Sequence, residues 1–528
     1  MISKIEAVIK KVLGKDVKFS VTASEKPEFG HYSTNAAFFV KGDPQKLADE
    51  IRQQAKDFFE KVEAKGKFIN FWISKNALLE ELNKVIKTPK FKIKNLKLKI
   101  NIEFISANPT GPLTMANGRG GFLGDVLANV LERAGHKVTR EYYINDAGNQ
   151  IKLLGESILG AIANNANDSK ITQIKLTAGH YQGNYIKKLA KRLNKELRIK
   201  NYGAEEVGRM AAAELLKEIK KSLKNVNIDF DIWFSEYQNL HKKGELKKVL
   251  ATLEKNGLVS EREGAKWLAD HVLVKSDGQP TYFLADLAYH YDKFIKRKFD
   301  CAIDIWGADH HGYIDRLKTG VKALGVNPDK LKIIITQLVR LVENGKEVRM
   351  SKRAGEFVTL DELVKEVGKD ATRFFFLMHA PETHMDFDLA LAKEKSQKNP
   401  VYYVQYAFVR CGAILRKAKL KRIKNYAMPA GRQELRIKNL ESESELNLMR
   451  ELVKLPDKIL QTAEDYQVSR VARYASELAR AFHNFYEKER VIVEEKELTE
   501  ARLALVSATR HILGEVLSIL GINQPAKM

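Results

Sequence analysis

The chain has 528 residues, a formal net charge of +23 at pH 7, 44% hydrophobic residues and two cysteines. This length predicts about three or four domains. The sequence has no apolar run of the roughly 18 residues that a membrane span needs, no recognisable secretion signal and no cysteine spacing typical of a zinc site or a disulfide framework, so we expect a cytoplasmic protein with no membrane segment and no bound metal.

The positive charge has two explanations. A lysine-rich surface that is merely solvated would produce it. A protein that binds a polyanion would also carry it, because each neutralised phosphate releases counterions and adds affinity. Charge alone does not choose between them.

Residues 1 to about 90 predict a small α/β domain. Apolar residues between Ile5 and Leu13 recur at helical spacing, and Phe68–Ile73 has the composition of a strand. The Lys-rich run 87–94 contains a proline and indicates a linker.

A strand, a loop, a helix and a second strand follow. Apolar and polar residues alternate from Leu96 to Phe104, a helix ends at Gly135, and the next strand is 137–144. This βαβ pattern predicts a parallel sheet that binds its ligand at the carboxyl ends of the strands. We expect the sheet to resume near Pro280.

The loop that leads into this helix contains Asn117, Gly118 and Gly120. The two glycines would let a phosphate approach the backbone N–H groups at the helix N-terminus. The spacing fits neither a P-loop nor a dinucleotide fingerprint. Asn117 is explained equally well as a plain helix N-cap, so both interpretations stay open here.

A second chemically distinctive segment, Trp306–Gly312, follows a strand-like run. Its adjacent histidines and Asp309 could suggest a metal site, but a third ligand at suitable spacing is missing. Asp309 at a strand end is better explained as an acceptor for ribose hydroxyls.

A third segment, Val348–Thr359, contains Met-Ser-Lys-Arg between two glycine-containing turns. Lys352 and the arginines beside it offer charges that could follow a leaving pyrophosphate. An ordinary solvated basic turn would have the same composition.

The sequence from about Asp370 onward predicts a mostly helical region, and apolar residues within 468–485 fall on one helical face. The hexapeptide Glu-Leu-Arg-Ile-Lys-Asn occurs at 196–201 and again at 434–439. Our hypothesis is that 422–439 and the region of the earlier copy are acquired insertions at the surface.

Taken in order, these segments closely resemble the arginyl-tRNA synthetases, a family of class I aminoacyl-tRNA synthetases. The similarity covers essentially the whole chain. It rests on the segments Glu103–Leu113, Glu141–Gln150, Pro280–His290, Gly307–His311, Arg349–Arg353 and Asp370–Arg373. Several ordered matches are much more specific than any one of them.

The resemblance implies an α/β fold with three domains. A Rossmann-type parallel-sheet catalytic domain would occupy 93–369, with a largely helical insertion at about 151–265. A small α/β N-terminal domain that contacts the tRNA elbow would occupy 1–92, and an α-helical anticodon-binding domain 370–528.

The resemblance also implies a reaction. Arginine and ATP would form arginyl-adenylate and pyrophosphate, and the arginyl group would then pass to the 3' end of tRNA-Arg with release of AMP. ATP would enter with Mg2+, and the protein would act as a monomer with tRNA-Arg, L-arginine and ATP as its partners.

Functional residues carry over position by position. Tyr282 and Asp286 would grip the guanidinium, Glu103 would contribute or brace the pocket, and Asn108 would hold the main-chain end of arginine. The full implied set is Glu103, Ser106, Asn108, Tyr282, Asp286 and His310 for arginine; Gly118, Gly307, Asp309 and Met350 for ATP; Thr114, Asn117, Arg349, Ser351 and Lys352 for catalysis; and Tyr32, Asn35, Tyr402 and Tyr406 for tRNA.

The first class signature is altered. Where the class has His-Ile-Gly-His, this chain has Thr114-Met115-Ala116-Asn117. Threonine and asparagine can donate hydrogen bonds to phosphate but cannot become cationic, and one lost charged hydrogen bond could cost about 1.5–3 kcal/mol. Arg349 at the start of the second signature keeps the positive charge.

Two alternatives are weighed against arginine ligation. One is a class I synthetase for another amino acid, which Tyr282 and Asp286 disfavour. The other is a non-catalytic tRNA-binding relative, suggested by Thr114 and Asn117.

Overall fold

The computed structural model describes residues 1–24, 26–87, 98–166, 179–197, 202–348, 358–421, 423 and 439–528. The chain forms two compact units. One contains residues 1–95, 133–135 and 395–528, and the other contains residues 96–132 and 136–394.

The N-terminal region is the small α/β domain that its sequence predicts. Its elements are α1 (Ile2–Leu13), β1 (Val21–Ala23), β2 (Tyr32–Thr34), α2 (Pro44–Gln54), β3 (Phe59–Lys65), β4 (Phe68–Ile73) and α3 (Lys75–Lys87). The strands form an antiparallel sheet in the order β1-β2-β4-β3. The predicted strand at Phe68–Ile73 is confirmed as β4.

The second unit carries most of the α/β structure. Its elements are β5 (Lys99–Glu103), α4 (Met115–Ala134), β6 (Lys137–Ile144), α5 (Asn149–Ala166), α6 (Asn184–Leu197), α7 (Ala204–Asn225), β7 (Ile232–Ser235), α8 (Glu245–Lys255), β8 (Val259–Arg262), β9 (Ala265–Leu268), β10 (His271–Val274), α9 (Tyr282–Tyr291), β11 (Cys301–Gly307), α10 (Ile314–Ala323), β12 (Leu331–Thr336), β13 (Val339–Glu343), β14 (Lys346–Glu347), α11 (Leu360–Val367), α12 (Lys369–Leu377), β15 (Met385–Asp388) and α13 (Leu389–Lys393). Two π-helical turns, Tyr237–His241 and Asp292–Lys296, interrupt the regular helices.

The central sheet of this unit is parallel and has the strand order β12-β11-β5-β6-β7 within the described residues. If β5, β6, β7, β11 and β12 are counted as strands 1 to 5, the order is 5-4-1-2-3. This is the doubly wound order of a Rossmann-type sheet. The order reverses between β5 and β11, so their carboxyl ends open a crevice. The predicted βαβ opening is confirmed by β5, α4 and β6.

The insertion expected at about 151–265 to be largely helical consists mostly of helices in the described residues. Helices α5, α6 and α7 pack around a shared apolar cluster that includes Ile158, Leu189 and Leu215. The same stretch then contains β7, which pairs in parallel with β6, and β8 of a small antiparallel sheet. These strands are four residues long, so they are too short to give a clear alternating pattern.

Arg373, in the segment that resembles the motif of the anticodon-binding domain, is a core residue of the second unit. It is fully buried, forms an ion pair with Asp125 of α4, and donates to the carbonyl oxygen of Val226 at 2.7 Å. The residues after the expected boundary at 370 therefore pack in the second unit as far as Glu394.

The C-terminal region is helical, as predicted. Its helices are α14 (Pro400–Leu420), α15 (Glu443–Leu452), α16 (Leu455–Asp465), α17 (Ser469–Lys488) and α18 (Lys496–Leu520). The predicted apolar face within 468–485 is buried along α17. Most residues of the two hexapeptide copies lie outside the described part of the chain.

Among the described helices, α18 has the length and mean hydropathy, 1.4, that a membrane-crossing helix would need. However, 72% of its apolar stretch is buried inside the fold. The core helix of a globular domain has the same properties.

Candidate active site

Several of the residues predicted to bind arginine or ATP lie at or just after the carboxyl ends of β5 and β11. Glu103 ends β5 and Gly307 ends β11. The chain leaves β5 through Ile105 and Ser106, whose φ angles are 67° and 37°. A positive φ is costly for residues other than glycine. The backbone is therefore strained where the chain leaves β5 beside the crevice.

The altered first signature forms a reciprocal cap on α4. Asn117 Oδ1 accepts from the backbone N–H of Thr114 at 2.8 Å and from its hydroxyl at 2.9 Å, and Thr114 Oγ1 accepts from the backbone N–H of Asn117 at 3.3 Å. Thr114 is therefore the N-cap of α4. Asn117 lies three residues later, at the position that a Glu or Gln side chain takes in a capping box. The Asn117 Nδ2 donors have no hydrogen-bond partner among the residues that the structure describes.

The residues that follow the second signature are joined to the first one. The backbone N–H of Met115 donates to the carbonyl oxygen of Val358 at 2.9 Å, and that of Leu360 donates to Leu113 at 2.9 Å. Thr114 and Thr359 form an antiparallel bridge between these bonds. The residues directly after the second signature therefore lie beside the first one.

The second signature itself was predicted to contribute four residues. Arg349, Met350, Ser351 and Lys352 all lie outside the described residues. Their roles stay predictions.

Gly118 has a packing role in the structure. A Cβ atom added to it would lie 2.8 Å from Leu360 Cδ1. The space beside its Cα is thus taken by α11, and its predicted contact with ATP would have to use the backbone alone. A Cβ on Gly307 would lie 2.6 Å from Asp309 Oδ1, but that atom ends an exposed side chain that can move aside.

Three buried carboxylates form a row across the sheet. Asp304 of β11, Glu103 of β5 and Glu141 of β6 are register partners on adjacent parallel strands. Their exposed fractions are 1%, 8% and 0%. Like charges this close in a buried site need nearby cations or shared protons. We call these three residues the acidic row.

The cations come from the π-helical turn that follows α9 and from the residue directly after that turn. Lys293 donates to Glu103 Oε2 at 2.7 Å and to Asp304 Oδ1 at 2.8 Å, and Arg297 donates to Glu141 Oε1 at 2.9 Å. Burial alone would raise the pKa of Asp304, but Lys293 and His290 outweigh it and hold that pKa at about 2. Burial raises the pKa of Glu103 despite the opposing charge of Lys293.

Sequence reasoning missed Glu141, Lys293, Arg297 and Asp304. A signal for Lys293 was present, since it lies seven residues after Asp286 and so on nearly the same helical face.

Asp286 lies at the open side of this cluster. Its Oδ2 accepts from the Tyr313 hydroxyl at 2.5 Å. Burial raises its pKa to about 6, although the Tyr313 hydrogen bond and the nearby His290 oppose that change. Such a carboxylate is ready to ionise fully when a cation arrives.

Two further groups face Asp286, and the sequence analysis did not identify either. Glu236 is buried and contacts His241 Nε2 at 2.8 Å. Burial, followed by the charges of Glu236 and Asp286, raises the pKa of the Tyr143 hydroxyl well above its usual value, so this hydroxyl lies near both carboxylates and stays protonated. The charges of Glu236 and Asp286 thus act on the same Tyr143 hydroxyl.

The other predicted arginine contacts differ in exposure. Ser106 Oγ donates to Glu103 Oε1 at 2.9 Å, and Asn108 Nδ2 donates to Gln150 Oε1 at 2.6 Å. Tyr282 is 57% exposed. Its hydroxyl lies beside Gly148, where an added Cβ would be 3.6 Å away.

Asp309 and His310 lie past the end of β11 and remain at the surface. Their side chains are 79% and 60% exposed, and His310 Nε2 lies 3.4 Å from Asp309 Oδ2. Among the described residues, no group of three His, Cys, Asp or Glu side chains could hold a metal ion. The adjacent histidines therefore lack a third metal ligand among the described residues.

One of the two tRNA contacts predicted in the N-terminal domain, that of Tyr32, does not agree with the structure. Tyr32 is 3% exposed and faces the core from β2, so it offers no open face to a base. Strand alternation explains this, because Tyr32 and Thr34 share the buried face of β2. Asn35 Oδ1 accepts from the backbone N–H of Ser20 at 2.8 Å.

Other aromatic groups of the N-terminal domain are exposed. Phe38, Phe39 and Phe68 have exposed fractions of 50%, 57% and 49%. The Phe38 and Phe68 rings meet edge to face with centroids 5.2 Å apart, and Lys67 Nζ lies 5.6 Å from the Phe38 ring centroid. Exposed rings beside lysines are typical of a surface that stacks nucleic-acid bases.

The predicted C-terminal tRNA contacts form a half-buried aromatic group. The Tyr402 and Tyr406 rings are stacked, with centroids 6.4 Å apart and an interplanar angle of 7°. The guanidinium of Arg410 lies 5.0 Å from the Tyr406 ring centroid and 4.9 Å from that of Tyr486. This cluster joins a cation to aromatic faces on α14 and α17.

Three family models match the chain in order. The arginyl tRNA synthetase N-terminal domain matches residues 1–73, the catalytic domain of class I tRNA synthetases (R) matches 76–385, and the DALR anticodon binding domain matches 404–528.

Individual proteins agree with the family models. The chain is 40% identical over 543 aligned positions to an arginine–tRNA ligase of Carboxydothermus hydrogenoformans, covering 97% of this chain and 95% of that protein. A solved structure of a putative arginyl-tRNA synthetase from Campylobacter jejuni has 32% identity and a TM-score of 0.76, covering 86% of this chain and 100% of that one. The Thermus thermophilus arginyl-tRNA synthetase, at 22% identity and a TM-score of 0.78 over 100% and 99% of the two chains, shares the fold.

Proposed function

The chain belongs to the arginyl-tRNA synthetase family, and we propose that it carries out arginine ligation through a pocket built on Asp286, Glu236 and the acidic row. The family's reaction joins arginine to tRNA-Arg at the expense of ATP. Tyr282 and Asp286 disfavour a synthetase for another amino acid, and the match of arginine–tRNA ligases along 97% of this chain disfavours both alternatives.

The observation that carries the pocket assignment is the half-buried carboxylate of Asp286, which accepts from the Tyr313 hydroxyl at 2.5 Å and whose pKa burial raises to about 6, with the charge of Glu236 adding to that rise. A guanidinium is planar and carries its five donors in a fixed arrangement, so two carboxylates and the Tyr143 hydroxyl suit it. Tyr282, at the exposed rim, would cover its face.

The main-chain end of arginine would lie nearer β5. Glu103 can accept from the α-ammonium group, and Asn108 can bond the carboxylate end. Ser106 would act through Glu103, to which it donates. His310 stays a proposal for this end, because its side chain is 60% exposed and free to turn toward the crevice.

ATP would bind at the first signature. The Asn117 Nδ2 donors face no protein acceptor in the described part of the chain, so they can contact a phosphate oxygen. We assign stabilisation of the leaving pyrophosphate to Lys352, with Arg349 and Ser351, and ribose binding to Asp309. Gly118, Gly307 and Met350 stay proposed ATP contacts.

Magnesium would enter as part of the substrate. Mg2+ is usually bound by phosphates and water with few protein ligands. We therefore expect the ion to arrive with ATP and to leave with pyrophosphate.

We propose that tRNA-Arg is bound by two aromatic surfaces. One is the cluster of Tyr402, Tyr406 and Arg410. The other is the exposed pair of Phe38 and Phe68 with its lysine neighbour, which takes the role first assigned to Tyr32. Asn35 remains a candidate through its amide donors. The positive net charge supports a polyanionic partner.

We also propose three domains and a cytoplasmic monomer. The family-model matches end at 385 and resume at 404. This supports a boundary between the catalytic and anticodon-binding domains that lies after residue 370.

ATP–pyrophosphate exchange tests the proposal. We expect exchange with arginine, measured with and without tRNA-Arg, and no exchange with cysteine or glutamate. The variant Asp286→Asn should raise the arginine KM by about tenfold or more, because a charged hydrogen bond is lost, and should leave the ATP KM nearly unchanged. An unchanged arginine KM in this variant would remove Asp286 from the pocket.

A further inference from the structure

Lys293 is a buried cation held between two carboxylates. Its side chain is 0% exposed, and its Nζ lies 2.7 Å from Glu103 Oε2 and 2.8 Å from Asp304 Oδ1. The same Nζ lies 4.2 Å from the centroid of the Tyr289 ring. These neighbours surround the ammonium group, so Lys293 would act on a substrate only through another residue.

The residue through which it would act is Glu103. One oxygen of this carboxylate accepts from Lys293, and the other accepts from Ser106 Oγ at 2.9 Å. Ser106 Oγ in turn accepts from the backbone N–H of Tyr143 at 3.1 Å. Both oxygens of Glu103 are therefore fixed in direction, at the carboxyl end of β5.

Charge makes Lys293 necessary for this arrangement. Glu103 and Asp304 are register partners on neighbouring strands, and Glu141 lies on the other side of Glu103. Without the ammonium group, two adjacent buried carboxylates would repel, and one would take up a proton. Burial alone would lower the pKa of Lys293, but Asp304 and Glu103 raise it, so the ammonium form is the stable one.

We propose that Lys293 is a positioning residue for arginine, which keeps Glu103 ionised and directed toward the α-ammonium group of the amino acid. This inference rests on the proposed role of Glu103 in the pocket. Lys293 lies in the π-helical turn Asp292–Lys296, and such turns are frequent at functional sites.

The first test compares Lys293→Met with Lys296→Met. Lys296 lies in the same turn but is exposed and pairs with Glu245, outside the pocket. In aminoacylation assays we expect Lys293→Met to raise the arginine KM by about ten- to hundredfold, the effect of one charged hydrogen bond, with the ATP KM changed less than about twofold. Lys296→Met should leave both values close to those of the unmodified protein.

A charge-balanced variant separates this role from a purely structural one. Lys293, Glu103 and Asp304 together carry a charge of −1, and Lys293→Met combined with Asp304→Asn also leaves −1 on Glu103. We expect this double variant to recover most of the arginine affinity lost in Lys293→Met. Because it removes the repulsion between the two buried carboxylates, it also provides the test if the single variant does not fold.

The outcomes distinguish the inference from the proposed function. If Glu103→Gln leaves the arginine KM unchanged, Glu103 does not contact arginine and the pocket assignment fails. If Glu103→Gln raises that KM but folded Lys293→Met does not, only the inference on Lys293 fails. A double variant that folds yet binds arginine no better than Lys293→Met would also overturn it.

Discussion

Asn117 uses the two ends of its side-chain amide for different tasks. Its oxygen caps α4 by accepting from Thr114, and its nitrogen has no acceptor in the described part of the structure. A histidine in the corresponding signature could carry a charge, whereas this amide offers neutral donors. The helix N-terminus adds partial positive charge at the same place, which offsets part of the difference.

The variant Asn117→Asp should separate these tasks. Its carboxylate would keep the oxygen that caps the helix, so we expect the melting temperature to stay within about 2 °C. It would lose the N–H donors and add a negative charge near the phosphates, so kcat of ATP–pyrophosphate exchange should fall by about tenfold or more.

Asn117→Ala is the control for that experiment. It should lower both the activity and the melting temperature, because it removes the cap as well. If Asn117→Asp were as active as the unmodified protein, the phosphate contact would be wrong.

The raised pKa of Asp286 predicts a pH dependence of arginine binding. Its pKa is about 6 in the protein without arginine. Above that pH the carboxylate is ionised and attracts the guanidinium. Below it the group is protonated, so the arginine KM should rise by up to about tenfold for each further pH unit. Initial rates at several arginine concentrations between about pH 5.5 and 8 measure this.

Asp286→Asn provides the reference, because an amide does not titrate in this range. Its arginine KM should be higher throughout and should lack the rise near pH 6. A flat profile for the unmodified protein would show that Asp286 does not pair with the substrate.

At the scale of elements, the sequence predicted regular structure better than the arrangement of side chains. The alternation up to Phe104 predicts β5, because one strand's pattern is local. The acidic row was not predicted, since it depends on which residues of β5, β6 and β11 come into register. Tyr32 was assigned to the surface although its strand pattern buries it. The resemblance to the family predicted Asp286. Glu236 was not predicted, because it follows the short edge strand β7 and no local pattern marks it.

The crossing of α5 and α7 depends on two glycines. A Cβ on Gly155 would lie 1.7 Å from the carbonyl oxygen of Ala204, and one on Gly208 would lie 1.9 Å from that of Ile151. Backbone atoms cannot move aside as a side chain can, so Gly155→Ala should push the helices apart and lower the free energy of unfolding by about 1–3 kcal/mol.

Chemical denaturation monitored by circular dichroism measures that loss. Gly179→Ala is a matched control, because a Cβ there meets nothing within 4 Å. Equal stability of the two variants would mean that the helices cross less closely than described.

At the scale of the whole molecule, the net charge of +23 is explained best by its partner. The KM for the polyanionic tRNA-Arg and the KM for arginine should then depend differently on salt concentration. We expect the KM for tRNA-Arg to rise by at least about tenfold between about 50 and 200 mM salt, because many phosphate contacts release counterions. The arginine KM should change much less, since its pocket is partly buried and poorly screened.

Steady-state aminoacylation at a series of potassium chloride concentrations measures both constants. A similar salt response for the two substrates would point to a general loss of activity. A KM for tRNA-Arg that did not depend on salt would assign the surface charge to solvation alone.

The π-helical turn after α9 also limits how this chain can vary in length. Each residue of an α-helix advances the chain by about 100° around the axis. Deleting one residue between Asp286 and Lys293 would therefore swing the ammonium group well away from β5, while Asp286 stayed in place. This stretch should accept exchanges of side chain at its outer positions yet reject any change in spacing, and a library of single-residue insertions and deletions should show a sharp gap there.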